Sequence, residues 1–122
     1  MAAPALVALA HGSRDPRSAK TITALVDEVR SLRPDLRIER AFLEQSKPSF
    51  QTVVDKLVRA GFEEIVVVPL LLNEAFHAKV DVPEVIAEAT SRHPGLRIRA
   101  TDVLGLEPRF LEVLDERMRE AL

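Results

Sequence analysis

Ala5-Leu6-Val7-Ala8-Leu9-Ala10-His11-Gly12-Ser13-Arg14-Asp15-Pro16 decides how this chain is read. The apolar run Ala5 to His11 is too short for a helix and reads as a strand buried on both faces. Gly12-Ser13 turns the chain, and Asp15-Pro16 opens a helix, since proline is tolerated in a first turn. Ile22, Leu25, Val26, Val29 and Leu32 follow at helical spacing, and Pro34 ends the helix near Arg33.

Further strands and helices alternate downstream. Leu36 to Leu43 reads as a strand, more exposed at its charged start and so an edge strand. After the polar loop Glu44-Gln45-Ser46-Lys47-Pro48, Ser46 or Ser49 caps a helix with the stripe Phe50, Val53, Val54, Leu57 and Val58, which Gly61 ends. Glu63 to Leu72 contains Ile65-Val66-Val67-Val68, the best candidate for a central parallel strand, with Pro69 ending its pairing. Asn73 to Val80 reads as a loop, and Asp81-Val82-Pro83 as the capped start of a third helix carrying Val85, Ile86 and Ala89. Arg92-His93-Pro94-Gly95 stops that helix. A fourth strand spans Leu96 to Val103, and a last helix carries Phe110, Leu111, Leu114 and Met118. Strands alternating with helices imply an α/β fold: a three-layer, flavodoxin-like sandwich with a four-stranded parallel sheet and helices on both faces. Residues 1–122 read as a single domain without linkers or repeats.

Composition narrows the function. A net charge of −2 argues against a dedicated nucleic-acid binder. The absence of cysteine excludes thiolate ligands and disulfides, so a transition-metal site must use His, Asp, Glu or water. No apolar run approaches the ~20 residues of a membrane span. Met1-Ala2-Ala3-Pro4 lacks the basic start of a signal peptide, which predicts a cytoplasmic location.

Ligands of open parallel sheets bind outside the carboxyl ends of the strands. His11 ends the first strand, Glu44 follows the second, and His77 follows the third. With strand order 2-1-3-4 those strands are neighbours, about 4.8 Å apart, so the three side chains can converge on one ion. Two imidazoles and a carboxylate suit a borderline divalent ion such as Fe²⁺, Co²⁺, Ni²⁺ or Zn²⁺. Each residue also has an ordinary reading: His11 could end a strand, Glu44 could pair with Lys47, and His77 could cap the next helix. Phe76 reads as core or as a contact for a flat ligand. His93, at a helix C-terminus, is assigned a structural role. Ser13 and Arg14 could bind an anion at the first helix N-terminus. The first loop is too poor in glycine, serine and threonine to wrap the phosphate of a flavin cofactor.

Ala10-His11-Gly12-Ser13-Arg14-Asp15, Ala41-Phe42-Leu43-Glu44, Val67-Val68-Pro69-Leu70-Leu71-Leu72, and His77 with Asp81-Val82-Pro83 together resemble the CbiX-type sirohydrochlorin chelatases, relatives in fold of the ferrochelatases. The resemblance implies a lyase that inserts Co²⁺, Fe²⁺ or Ni²⁺ into sirohydrochlorin or a related tetrapyrrole, releasing two protons, in cobalamin- or sirohaem-type biosynthesis. The metal is then substrate, and no organic cofactor is expected. His11, His77 and Glu44 fall on the family's metal-binding and catalytic positions. Sirohydrochlorin is rich in carboxylates, for which Ser13, Arg14, Lys47 and Lys79 are candidate partners. Many relatives have a glycine shortly before the second histidine, where this chain reads Asn73-Glu74-Ala75-Phe76-His77. Many also carry two such lobes, whereas this chain has one copy of each motif, which implies a homodimer that rebuilds the cleft. The alternatives are one lobe needing a partner and a non-catalytic metal-binding protein.

Overall fold

The structure, a computed structural model, describes residues 3–72, 77–105 and 107–122, with residues 77 and 78 described by backbone. Four parallel strands, β1 (Ala5–Ala10), β2 (Ile38–Phe42), β3 (Glu64–Pro69) and β4 (Arg97–Ala100), lie in the order β2-β1-β3-β4. Between and after them run α1 (Pro16–Leu32), α2 (Phe50–Arg59), α3 (Val82–Arg92) and α4 (Pro108–Ala121). Connections between parallel strands are right-handed. The chain steps one way from β1 to β2 and the other way from β2 to β3, so α1 and α2 fall on opposite faces.

Side-chain parity along the strands follows this division. Ala5, Val7 and Leu9 of β1 join Ile65 and Val67 of β3, and with Phe50, Val53, Val54 and Leu57 of α2 and Val82 and Ala89 of α3 they make the main core. Ala8, Ile38 and Val26 of α1 form a smaller cluster on the other face. Burying a side chain such as Phe50 or Leu57 stabilises the fold by about 1.5–3 kcal/mol, so most of the core's stabilisation lies on the α2/α3 face.

Several local expectations change in the folded chain. Ser49, not Ser46, caps α2, accepting the amide of Thr52 at 3.2 Å. The segment His77–Asp81, of which residues 77–80 were expected to be loop, is a π-helical turn leading directly into α3. Asp81 therefore has helical dihedrals and makes no side-chain capping bond, because the turn before it already supplies the helix start. The strand Leu96 to Val103 is regular only over Arg97–Ala100.

The edge position of β2 agrees with its sequence, but its charged start is not exposed. Glu39 is 8 % exposed and sits among three cations. Arg37 Nε lies 2.9 Å from its Oε1, Lys56 Nζ lies 3.4 Å from the same oxygen, and Arg30 Nη2 lies 3.4 Å from Oε2. Burial works to raise the Glu39 carboxyl pKa, but the hydrogen bond from Arg37 and the charges of Lys56 and Arg37 outweigh it and hold the pKa below its usual value. On α1 the apolar spacing overstates burial: Val26 is buried, whereas Leu25, Val29 and Leu32 are exposed. α4 buries no residue; Leu111, Leu114 and Met118 are each more than half exposed.

Candidate metal site

The β1/β2 ladder runs past the ends of both strands. Leu43 donates to the Ala10 carbonyl at 2.9 Å, and Glu44 donates to the His11 carbonyl at 3.0 Å. His11 and Glu44 thus leave the carboxyl edge of the sheet side by side. His11 Nε2 lies 3.2 Å from Glu44 Oε1. His11 Nδ1 lies 3.3 Å from the Gly12 carbonyl, which can only accept. Nε2 and the Glu44 carboxylate face each other at a distance that a shared proton or a bound cation spans. Metal–ligand bonds of ~2.0–2.2 Å place adjacent donors about 3.0–3.4 Å apart, and the observed spacing falls in that range.

Backbone geometry enforces this proximity. Gly12 has φ of +105°, and a Cβ at this position would lie 1.6 Å from the Glu44 carbonyl oxygen. Gln45 has φ of 62°, and the Ser46 amide turns back to the Glu44 carbonyl at 2.7 Å. The two loops therefore pass through each other's only available space, and glycine alone fits the first of them.

The remaining sequence candidates divide. β3 lies beside β1, and Leu70 donates to the Leu9 carbonyl at 2.8 Å, so the chain leaves β3 at the same edge. His77 begins the π-helical turn beyond it; its side chain, and residues 73–76 with Phe76, lie outside the described residues. Among the described residues no three His, Asp or Glu side chains form a complete ligand group, and His11 with Glu44 form a histidine–carboxylate pair at this edge. The Ser13 amide is committed to Ser46 Oγ at 3.0 Å, and the Ser13 hydroxyl accepts the Asp15 amide at 3.1 Å. Asp15 caps α1 and pairs with Arg17 at 2.6 Å, which places a carboxylate where an anion was expected. Arg14 is exposed nearby. Lys47 lies beside Glu39, Arg40, Thr52 and Lys56, around a hollow of about 350 Å³. Lys79 lies with Pro69, Val82, Ile86 and Thr101 around an apolar hollow of about 450 Å³ at the carboxyl edge.

Sequence reasoning did not single out Asp81 and Glu84 as neighbours of Glu44. These three line a cleft of about 200 Å³ with Leu43 and Val85. Their i, i+3 spacing puts both on one side of the helix start, a pattern legible in the sequence, but nothing local points it at Glu44. His93 takes the structural role expected of it: it ends α3, and its Nε2 lies 2.8 Å from Asp55 Oδ1.

The fold and this edge define a parallel α/β lobe with a histidine–carboxylate pair beyond its strand ends. The chain belongs to the CbiX family, whose profile matches residues 5–121. Over 116 residues it is 32% identical to the sirohydrochlorin ferrochelatase of Bacillus subtilis, covering 95% of this chain and 44% of that protein. Over 138 residues it is 28% identical to the sirohydrochlorin cobaltochelatase of Methanopyrus kandleri, covering 97% and 96%. Among solved structures, the sirohydrochlorin chelatase SirB of Bacillus subtilis subspecies spizizenii, in complex with cobalt, superposes with a TM-score of 0.90 at 33% identity, over 96% of this chain and 50% of SirB. A CbiX protein of Marinobacter aquaeolei, described as a cobalamin biosynthesis protein, superposes with a TM-score of 0.85 at 29% identity, over 98% and 97%. The chain thus spans half or less of the Bacillus proteins and nearly all of the other two. No helix among the described residues is long and apolar enough to cross a membrane.

Proposed function

We propose that this protein is a sirohydrochlorin metal chelatase that inserts Co²⁺ or Fe²⁺, with Ni²⁺ as a further candidate, into sirohydrochlorin or a closely related tetrapyrrole in the cytoplasm. The observation that carries the reading is the 3.2 Å approach of His11 Nε2 to Glu44 Oε1 in a chain of this family. That spacing supports capture of a divalent ion by both donors. His77, which begins the turn beyond β3, is the proposed third ligand.

Insertion replaces two pyrrole N–H protons by metal–nitrogen bonds, so two protons must leave as the ion is handed over. His11 and His77 are the proposed acceptors, since neutral imidazoles take protons near physiological pH. Glu44 holds the ion and then stabilises the imidazolium left on His11. Asp81 and Glu84 make the cleft beside Glu44 acidic, which favours divalent cations over anions there. Arg14, Lys47, Lys79 and the Ser13 hydroxyl are proposed partners for the substrate carboxylates. The apolar hollow beside Lys79 offers room for one edge of the macrocycle.

We further propose that residues 1–122 form one chelatase lobe and that two copies assemble as a homodimer. The exposed α4 stripe Leu111, Leu114 and Met118 supports this, since an apolar helix face of this kind is ordinarily covered. The match to half of SirB favours a second reading, in which the lobe acts beside a different partner lobe.

The test follows the absorbance of sirohydrochlorin with each metal in turn. Acceleration over the spontaneous rate is expected, as is its loss in His11→Ala and His77→Ala with circular dichroism unchanged. No acceleration with any of the three metals would overturn the chelatase reading and leave a metal-binding protein. Acceleration only after addition of a partner lobe would select the second reading.

A further inference from the structure

We propose that Ser46 is a positioning residue that holds His11 and Glu44 at metal-binding distance. The inference rests on the metal-site reading above. Ser46 does not cap α2, a role taken by Ser49. Its hydroxyl accepts the Ser13 amide at 3.0 Å and donates to the Ser13 carbonyl at 3.0 Å. One side chain thus makes both bonds that a neighbouring strand would make, to a residue 33 positions away.

The reason lies in the ladder it extends. β1 and β2 stay paired through Leu43 with Ala10 and Glu44 with His11. Beyond that rung the backbones cannot continue, because Gly12 and Gln45 both have positive φ and leave the extended region. The Ser46 hydroxyl supplies the next rung from a side chain. His11 and Glu44 are therefore held on both sides, by backbone pairing before them and by Ser46 after them. This matters because a cation shared by the two groups needs both donors kept at this spacing. Without the hydroxyl, the first loop keeps the packing of Gly12 against the Glu44 carbonyl but loses both hydrogen bonds that tie Ser13 to the second loop. Two further observations agree: Ser46 is half-buried, and it touches neither the acidic cleft nor the hollow beside Lys79. Its effect is expected on the ion rather than on the macrocycle.

The test compares wild type, Ser46→Ala, Ser46→Thr and His11→Ala by Co²⁺ titration and by steady-state insertion. Ser46→Ala is expected to weaken Co²⁺ binding by about ten- to hundred-fold, the range seen when a group that orients a metal ligand is removed. The kcat should fall with it, while the KM for the tetrapyrrole stays unchanged. Ser46→Thr keeps the hydroxyl and should restore both. A merely structural loss would lower thermal stability without this split or this rescue. Wild-type Co²⁺ affinity and kcat in Ser46→Ala, beside weakened binding in His11→Ala, would overturn the role of Ser46 alone. Absence of Co²⁺ binding in wild type, or full binding in His11→Ala, would overturn the site reading and this inference with it.

Discussion

The Cα of Gly12 packs against the carbonyl of Glu44 with no room for a side chain, since a Cβ there would lie 1.6 Å from that oxygen. This contact joins the two loops that carry the candidate metal donors. It also fixes what kind of residue can follow His11: one without a Cβ, in a backbone region that L side chains rarely adopt. Gly12→Ala should therefore destabilise the protein by about 2–4 kcal/mol, combining backbone strain with displacement of the Glu44 loop. Denaturant unfolding measures the loss, and Co²⁺ titration should show weaker binding even where the variant remains folded. An unfolding midpoint equal to wild type would contradict this packing.

Glu44 is about half exposed, so its replacement tests chemistry with little effect on the core. Glu44→Gln keeps the shape and removes the charge. Insertion should slow by about ten- to hundred-fold, and Co²⁺ affinity should fall, with thermal stability nearly unchanged. Unchanged kinetics would reduce Glu44 to a solvated loop carboxylate.

His93 is the contrasting histidine. It links α3 to Asp55 on α2, where Arg92 also reaches the carboxylate at 2.6 Å. The hydrogen bond from Arg92, and then that from His93, holds the Asp55 carboxyl pKa below its usual value. His93→Ala should leave metal binding and insertion at wild-type levels and cost about 0.5–1 kcal/mol in urea unfolding, the scale of a partly exposed pair. Loss of Co²⁺ affinity in this variant would show that the wrong histidine has been set aside.

Glu39 gives the fold a defined pH response. Its folded pKa is depressed, so its contribution is fully present above the unfolded carboxylate value and fades as pH falls through the folded one. Glu39→Gln removes the carboxylate shared by Arg30, Arg37 and Lys56, and should cost about 1–3 kcal/mol at neutral pH. The gap between wild type and variant should shrink on acidification to roughly pH 3, below the ordinary carboxylate range. Thermal melts of both proteins across that range measure it; a constant gap would mean that the carboxylate charge is not what stabilises the edge strand.

The α4 stripe tests the assembly. Leu114→Glu puts a charge in the middle of the exposed face formed with Leu111 and Met118. Sedimentation should show a dimer for wild type and a monomer for the variant, with the single-lobe fold retained because α4 buries no residue. A monomeric wild type would remove the homodimer.

The alternation of short apolar runs with helical stripes was legible from residue patterning, because strand and helix periods are local properties. The parallel sheet followed from that alternation, whereas the strand order 2-1-3-4 was a premise of the site reading, and the structure has it. Candidate donors were legible too: with no cysteine in the chain, His11, Glu44 and His77 remained at strand ends. Where the reading failed, the missing information was non-local. Asp81 has the residue type and position of a cap, yet a π-helical turn precedes it. Leu25 and Leu32 keep the helical spacing of a buried stripe, yet α1 presents them to solvent. Glu39 reads as a surface charge, but it is enclosed by cations brought from α1 and α2.

By itself the sequence determined the elements, their order and the identity of the groups available for chemistry. Only the tertiary structure decided which of those groups meet. Gly12 reads as an ordinary turn glycine until the Glu44 carbonyl is seen against it, and Ser46 reads as one of two candidate caps until its hydroxyl is seen on Ser13. The physical reason is that patterning records how each residue relates to its near neighbours in the chain. The 3.2 Å between His11 and Glu44 is set by a parallel ladder between segments far apart in sequence, and by two loops that compete for the same space.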